Sequence, residues 1–131
     1  MRLLLDTHVL IWWLLDDRRL KRSERVAITE ADGVYVSAAT IWEIAVKRSL
    51  GRLDLDQAAF DHELEQSDLA ELPIAWRHAR AVAALPAIHS DPFDRMLISQ
   101  ALVEDLTLVS YDRLVQQYDV PLLPLLAGSR I

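Results

Sequence analysis

The stretch "RLLLDTHVLIWWLL", residues 2–15, sets three consecutive leucines directly before an aspartate and a second apolar run. A strand with one face in water alternates apolar and polar residues. Three leucines in succession need cover on both faces, which is the pattern of a buried parallel strand. Thr7, after Asp6, can start a helix covering roughly 8–15. The same alternation then recurs along the chain. "GVYVSAA" (33–39) reads as a strand entered through Gly33, followed by "TIWEIAVKRSLG" (40–51), a helix closed by Gly51. A polar helix covers 56–67, "LAELPI" (69–74) is a candidate strand, and "AWRHARAVAAL" (75–85) is a helix stopped ahead of Pro86. A further helix runs from about 91 to 104. "LTLVS" (106–110) is a buried strand, "YDRLVQQY" (111–118) a short helix, and "VPLLPL" (120–125) a terminal strand confined to an edge by its prolines. Strands apolar throughout and alternating with helices define an α/β class, a three-layer α/β/α sandwich around a central, mostly parallel sheet. Without repeats, low-complexity tracts or linkers, residues 1–131 read as a single domain.

Composition narrows the function classes. The chain has 131 residues with 52% apolar content, enough for a sizeable core. It contains no cysteine, which excludes disulfides, thiolate zinc sites and cysteine nucleophiles. A net charge of −6 argues against gripping nucleic acid through an overall basic surface. It leaves room for local basic patches, which occur at "RRLKRSER" (18–25) and around Lys47, Arg48 and Arg52; as structure alone these are solvated helix ends or loops. The opening apolar run is broken by Asp6 and His8, no small-residue cleavage site follows, and it is too short to span a bilayer. The expectation is a soluble cytoplasmic protein with no membrane partner.

In open parallel sheets, ligands bind beyond the carboxyl ends of the strands. Asp6 ends the first strand, Asp112 lies two residues past "LTLVS", and Glu43 sits about a turn into the helix that leaves "GVYVSAA". Asp94 occupies the first turn of the helix preceding "LTLVS" and approaches the same end if that helix N-terminus tilts inward. Asp91 and Asp94 also admit a purely structural reading, since Asp91, Pro92 and Asp94 suit an N-cap, a first helical position and a dipole-complementing acid. Acids that converge from distant parts of the chain repel one another, and a hard divalent cation relieves this. Oxygen-only ligands fit Mg²⁺ or Mn²⁺ better than Zn²⁺. The natural chemistry of such a cage is metal-assisted attack of water on a phosphodiester.

Four blocks, "LLLDTHVLIWWL", "VSAATIWEIAVKRSLGRL", "HSDPFDRMLISQAL" and "LTLVSYD", resemble those of PIN-domain ribonucleases, specifically the VapC type of bacterial toxin in toxin–antitoxin pairs. The resemblance runs from Met1 to about Pro124, with the blocks in the family's order. It implies a PIN-like fold and metal-dependent endonucleolytic cleavage of RNA. It maps the family's acids to Asp6, Glu43, Asp94 and Asp112, with Asp91 adjacent, and places Ser110 where many relatives carry a small hydroxyl residue. Ser110, Thr7 and Ser37 each admit two readings, an accessory hydroxyl of the site or a plain structural residue at a strand end. A homodimer and a cognate antitoxin are the implied partners. Trp12 and Trp13, in a helix apolar around its whole circumference, are the candidate partner interface.

Other polar residues carry blander expectations. His8 and His89 flank acidic blocks but suit structural histidines or local hydrogen bonds. His62 and His78 suit surface or interface positions. Arg95, one residue after Asp94, is turned about 100° away and need not share the site. Two rival functions remain: a PIN-like binding module that has lost catalysis, and a phospho-acceptor signalling domain. The latter normally needs a lysine after a late strand, whereas the lysines here are Lys21 and Lys47.

Overall fold

The structure, a computed structural model, describes residues 1–125; the last six residues of the expected 1–131 domain lie outside the described residues. Five parallel strands form one sheet in the order β3-β2-β1-β4-β5: β1 (Arg2–Leu5), β2 (Gly33–Ser37), β3 (Ala70–Leu72), β4 (Thr107–Val109) and β5 (Leu122–Leu123). β1 lies at the centre, where Leu5 registers with both Val36 and Val109. Its leucines divide between two cores because successive side chains point to opposite faces. Leu3 and Leu5 join one cluster with Val9, Leu10, Ile28 and Phe60; Leu4 joins the other with Leu97, Ile98, Leu108 and Tyr118. The first cluster is covered by α1 (Thr7–Leu14), α2 (Arg22–Glu30) and α4 (Gln57–Gln66), the second by α6 (Pro92–Glu104). α3 (Ala38–Ser49) contributes to both clusters, through Ile44 and Ala39, and α5 (Trp76–Ala81) packs on α6. The three-layer α/β/α expectation therefore holds, and every strand pair is parallel.

Several boundaries differ from the sequence reading for local reasons. β2 ends at Ser37 and not at Ala39, because Ser37 turns to cap α3 and accepts the Ala39 N–H at 3.0 Å. The helix over 75–85 divides into α5 and a 3₁₀ turn, Val82–Ala84. The segment 111–118 contains only a 3₁₀ turn, Val115–Gln117, whose start is held by Asp112. α2 falls within and beyond the stretch 18–25 that reads as a solvated basic patch; it is anchored by the buried Glu24 and Ile28. Among the described residues, no helix is long and apolar enough to cross a membrane.

Candidate active site

Five carboxylates line one cleft of about 450 Å³ at the carboxyl edge of the sheet. Asp6 follows β1 and caps α1, its Oδ1 accepting the Val9 N–H at 2.8 Å. Its own N–H donates to the Val109 carbonyl at 3.1 Å, which ties the ends of β1 and β4 together. Glu43 projects from α3. Asp91 caps α6 by accepting the N–H groups of Phe93 and Asp94 at 2.8 and 3.0 Å, with Pro92 at the start of the helix. Asp94 lies in the first turn of α6. Asp112 accepts the Leu114 and Val115 N–H groups through Oδ1 at 2.8 and 3.0 Å. All four acids expected as ligands, and Asp91, thus share the cleft.

Their electrostatics are those of buried acids only partly compensated by Lys47. Burial pushes the Asp6 carboxyl up to about 6, against a lowering by hydrogen bonds from the Ser110 hydroxyl and the Val9 N–H. Asp94 is pushed up to about 7, first by burial and then by the neighbouring charges of Asp91 and Asp6. Glu43 is buried, and both its oxygens are engaged: Thr7 Oγ1 donates to Oε1 and Lys47 Nζ to Oε2, each at 2.5 Å. Its partner raises the Lys47 ammonium above the ordinary lysine value. Ser110 is fully buried and links two acids, hydrogen-bonding Asp6 and accepting the Asp112 N–H at 3.2 Å.

His89 makes the local hydrogen bond expected of it, Nδ1 accepting the Asp91 N–H at 3.2 Å. Its other nitrogen faces the acids. Nε2 is 2.9 Å from Asp94 Oδ2 and 3.5 Å from Asp112 Oδ2, yet it is buried without an aligned hydrogen bond. With Nδ1 accepting, the neutral ring carries its proton on Nε2, between two carboxylates. Ser37 caps α3, and Arg95 turns away from the cleft to the carbonyls of Val82, Leu85 and Pro86 and to the Tyr118 hydroxyl. His62 is exposed, but His78 departs from its expected surface position: it is 1% exposed, with Nε2 2.6 Å from Glu104 and Nδ1 accepting the Ala75 N–H. Trp12 lines the acidic cleft, whereas Trp13 lines a separate groove with Leu14, Ile28 and Leu69; both rings are half-buried against the core.

The sequence reading leaves out Lys47, His89 as a site residue, and Tyr111, all of which line the cleft. Lys47 had a signal, standing four residues after Glu43 on one helix face. His89 has a local signal in its place two residues before Asp91 and five before Asp94, which reads as a structural histidine or a local hydrogen bond.

These side chains suit a hard divalent cation. The donors are carboxylate oxygens; Asp94 and Asp112 lie in one group with His89, whose polar atoms are within 4.8 Å of one another, His89 there facing the two acids with its protonated nitrogen.

The PIN domain family model matches residues 3–121. Ribonuclease VapC22 of Mycobacterium tuberculosis is 30% identical over 129 residues, 90% of this chain and 92% of that protein. The crystal structure of VapBC2 from Rickettsia felis, bound to a DNA fragment from its promoter, superposes with a TM-score of 0.71 at 13% identity, covering 93% of this chain and 97% of that one. A toxin–antitoxin complex from Klebsiella pneumoniae gives a TM-score of 0.57 at 20% identity, over 83% of this chain and 85% of that one.

Proposed function

The chain belongs to the PIN-domain family, and on that premise we propose that it is a metal-dependent endoribonuclease, the toxin of a cytoplasmic toxin–antitoxin pair. The observation that carries this reading is the convergence of Asp6, Glu43, Asp94 and Asp112 in one cleft, where burial, reinforced at Asp94 by the neighbouring carboxylates, pushes the Asp6 and Asp94 carboxyls up.

Asp6, Asp94, Glu43 and Asp112 are the residues that would hold Mg²⁺ or Mn²⁺. Such a cation supplies activation of water and charge neutralisation on the phosphodiester. The chain's own groups prepare that chemistry. Thr7 fixes the Glu43 carboxylate by donating to Oε1. Ser110 holds Asp6 while accepting from the backbone of Asp112, so the two acids keep one spacing. Asp91 fixes the first turn of α6 and with it the direction of Asp94. His89 directs Nε2 into the cleft between Asp94 and Asp112, where it would help to orient those two carboxylates.

An antitoxin is the natural inhibitor for such a cleft, since an arginine or lysine from its tail satisfies the carboxylates that a cation otherwise occupies. The Trp12 and Trp13 faces of α1, one in the cleft wall and one in the adjoining groove, are its apolar seat. We assign a homodimer as the working assembly. The test is cleavage of total RNA by the antitoxin-free protein with Mn²⁺ or with EDTA, beside Asp6→Asn. Cleavage that needs Mn²⁺ and disappears in a folded Asp6→Asn protein is the expected result; wild-type-like cleavage by that variant overturns the mechanism.

A further inference from the structure

One wall of the acidic cleft is aromatic and cationic. His8 and Trp12 from α1 lie with ring centroids 5.7 Å apart, and Trp12 lies 5.8 Å from Tyr111, just beyond β4. The rings are tilted by 36° and 39°, so they are not stacked face to face on one another. Two cations hold to this row: the Arg19 guanidinium is 5.2 Å from the Trp12 ring centre and Lys21 Nζ is 5.7 Å from that of Tyr111. Both are exposed, as are Arg18 and Arg22 beside them. Arg19 is ion-paired with Asp17, yet its side chain remains 69% exposed. Tyr111 is fixed in place, its hydroxyl donating to Glu24 and accepting the Lys21 N–H. His8, Trp12, Arg19 and Tyr111 line the same cleft as Asp6, Asp94 and Asp112. On a chain of net charge −6, a cationic and aromatic row against an acidic floor is a local departure from the rest of the surface.

We propose that the His8–Trp12–Tyr111 wall is a base-stacking subsite for single-stranded RNA, with Arg19 and Lys21 taking the flanking phosphates. The proposal rests on the ribonuclease reading and adds the form of RNA that the cleft accepts. An acidic floor cannot hold a phosphodiester chain by itself, so affinity must come from the rim. Aromatic faces and guanidinium planes bind unstacked bases, and only a single strand or loop can present those faces; a duplex has both faces of each base already stacked. Phosphates on either side of a stacked base match cations spaced along the aromatic row. An antitoxin segment that reaches the carboxylates crosses the same wall and so excludes RNA.

The test uses the whole chain and a fluorescein-labelled pool of randomised single-stranded RNA octanucleotides, read by anisotropy in EDTA, where no turnover occurs. A base stack is worth about 1–3 kcal/mol, so Trp12→Leu should weaken binding by about fivefold to about 150-fold while Trp12→Phe stays within about threefold. Arg19→Gln should lower the slope of log affinity against log salt by about one. An abasic octanucleotide should bind the wild-type chain at least about fivefold more weakly than the base-bearing pool does; this arm needs no variant and holds even if Trp12→Leu unfolds. Equal binding of abasic and base-bearing RNA, duplex bound as tightly as single strand, or a folded Trp12→Leu with wild-type affinity each overturn the subsite. So does a Trp12→Leu protein that keeps RNA affinity and loses only antitoxin inhibition. If the wild-type chain still cuts total RNA with Mn²⁺ in those cases, the subsite fails alone; if it neither binds nor cuts RNA, the ribonuclease reading fails with it.

Discussion

Asp6→Asn removes a buried charge without changing volume, and the structure sets the size of the effect on the metal-free protein. Burial moves this carboxyl from 3.8 to about 6. At about 1.36 kcal/mol per tenfold, ionised Asp6 costs the folded state about 3 kcal/mol. The sign follows from proton binding. Between these two values the folded chain retains a proton that the unfolded chain has released, so stability falls as pH rises through that window and levels off above it. Below pH 4 both states are protonated and the cost vanishes. The asparagine amide oxygen can still accept the Val9 N–H and cap α1, and the Ser110 hydroxyl can turn to accept from the new amide. In EDTA at pH 8, therefore, Asp6→Asn should melt above wild type. With an unfolding entropy of about 2.1 cal/mol/K per residue, 3 kcal/mol corresponds to about 10 °C. At pH 4 most of the gap should close. Mn²⁺ should then reverse the order, since binding to the native state alone stabilises by about 2.7 kcal/mol at a hundredfold excess over Kd and the variant lacks a ligand charge. Thermal unfolding followed by circular dichroism at the two pH values, with and without Mn²⁺, reads all four conditions. A variant no more stable than wild type at pH 8, or equally stabilised at pH 4, refutes the argument that this carboxylate is held against its own solvation.

Asp91→Ala should cost about 1 kcal/mol of stability through loss of the α6 cap, with a partial loss of turnover, whereas Asp94→Ala should abolish turnover and leave the metal-free protein as stable or more stable; melting curves and cleavage rates at saturating Mn²⁺ separate them, and an inactive, stable Asp91→Ala beside an active Asp94→Ala reverses the roles. Lys47→Met should tighten Mn²⁺ binding in calorimetric titration by removing a competing cation from Glu43, and should lower metal-free stability by leaving that buried carboxylate unpaired; unchanged affinity refutes the competition. In hydrogen exchange, a co-expressed antitoxin that blocks cleavage should protect α1 around Trp12 and Trp13 and the Asp91–Asp94 turn, and protection of neither region refutes the proposed seat.

What the sequence made legible is what local chemistry determines. Leu3 to Leu5 announce a strand covered on both faces, and the structure divides them between two cores. The Asp91-Pro92 pair announces a helix start, and both residues take those positions. The losses occur where the deciding contact is distant. α2 has no side-chain cap at Lys21 and buries only Glu24 and Ile28 among mostly polar residues, so its composition reads as a solvated patch. His78 resembles a surface histidine until Glu104, twenty-six residues away, and the Ser99 hydroxyl meet it in the interior. His89 has Asp91 and Asp94 close by in sequence, but Asp112, its second acidic neighbour in the cleft, arrives on a different element, so a window around residue 89 shows a local hydrogen bond and not the shared site.

Capping and ligation are usually weighed as rival explanations for an acid at a helix start, and this cleft shows that one carboxylate can serve both. Asp6, Asp91 and Asp112 each use Oδ1 to hold backbone N–H groups, and a carboxylate has a second oxygen that the cap leaves free. Asp112 Oδ2 is the one that faces His89. In a parallel sheet with antiparallel helices, α1, α3 and α6 all begin at the carboxyl edge of the strands, so capping brings acids and positive helix ends to the same place. The helix ends do not offset the cost of burying these acids, because burial still holds Asp94 up at about 7 and Asp6 at about 6. Ordinary capping geometry thus gathers buried carboxylates at one edge of the sheet, the setting that the proposed cation would relieve.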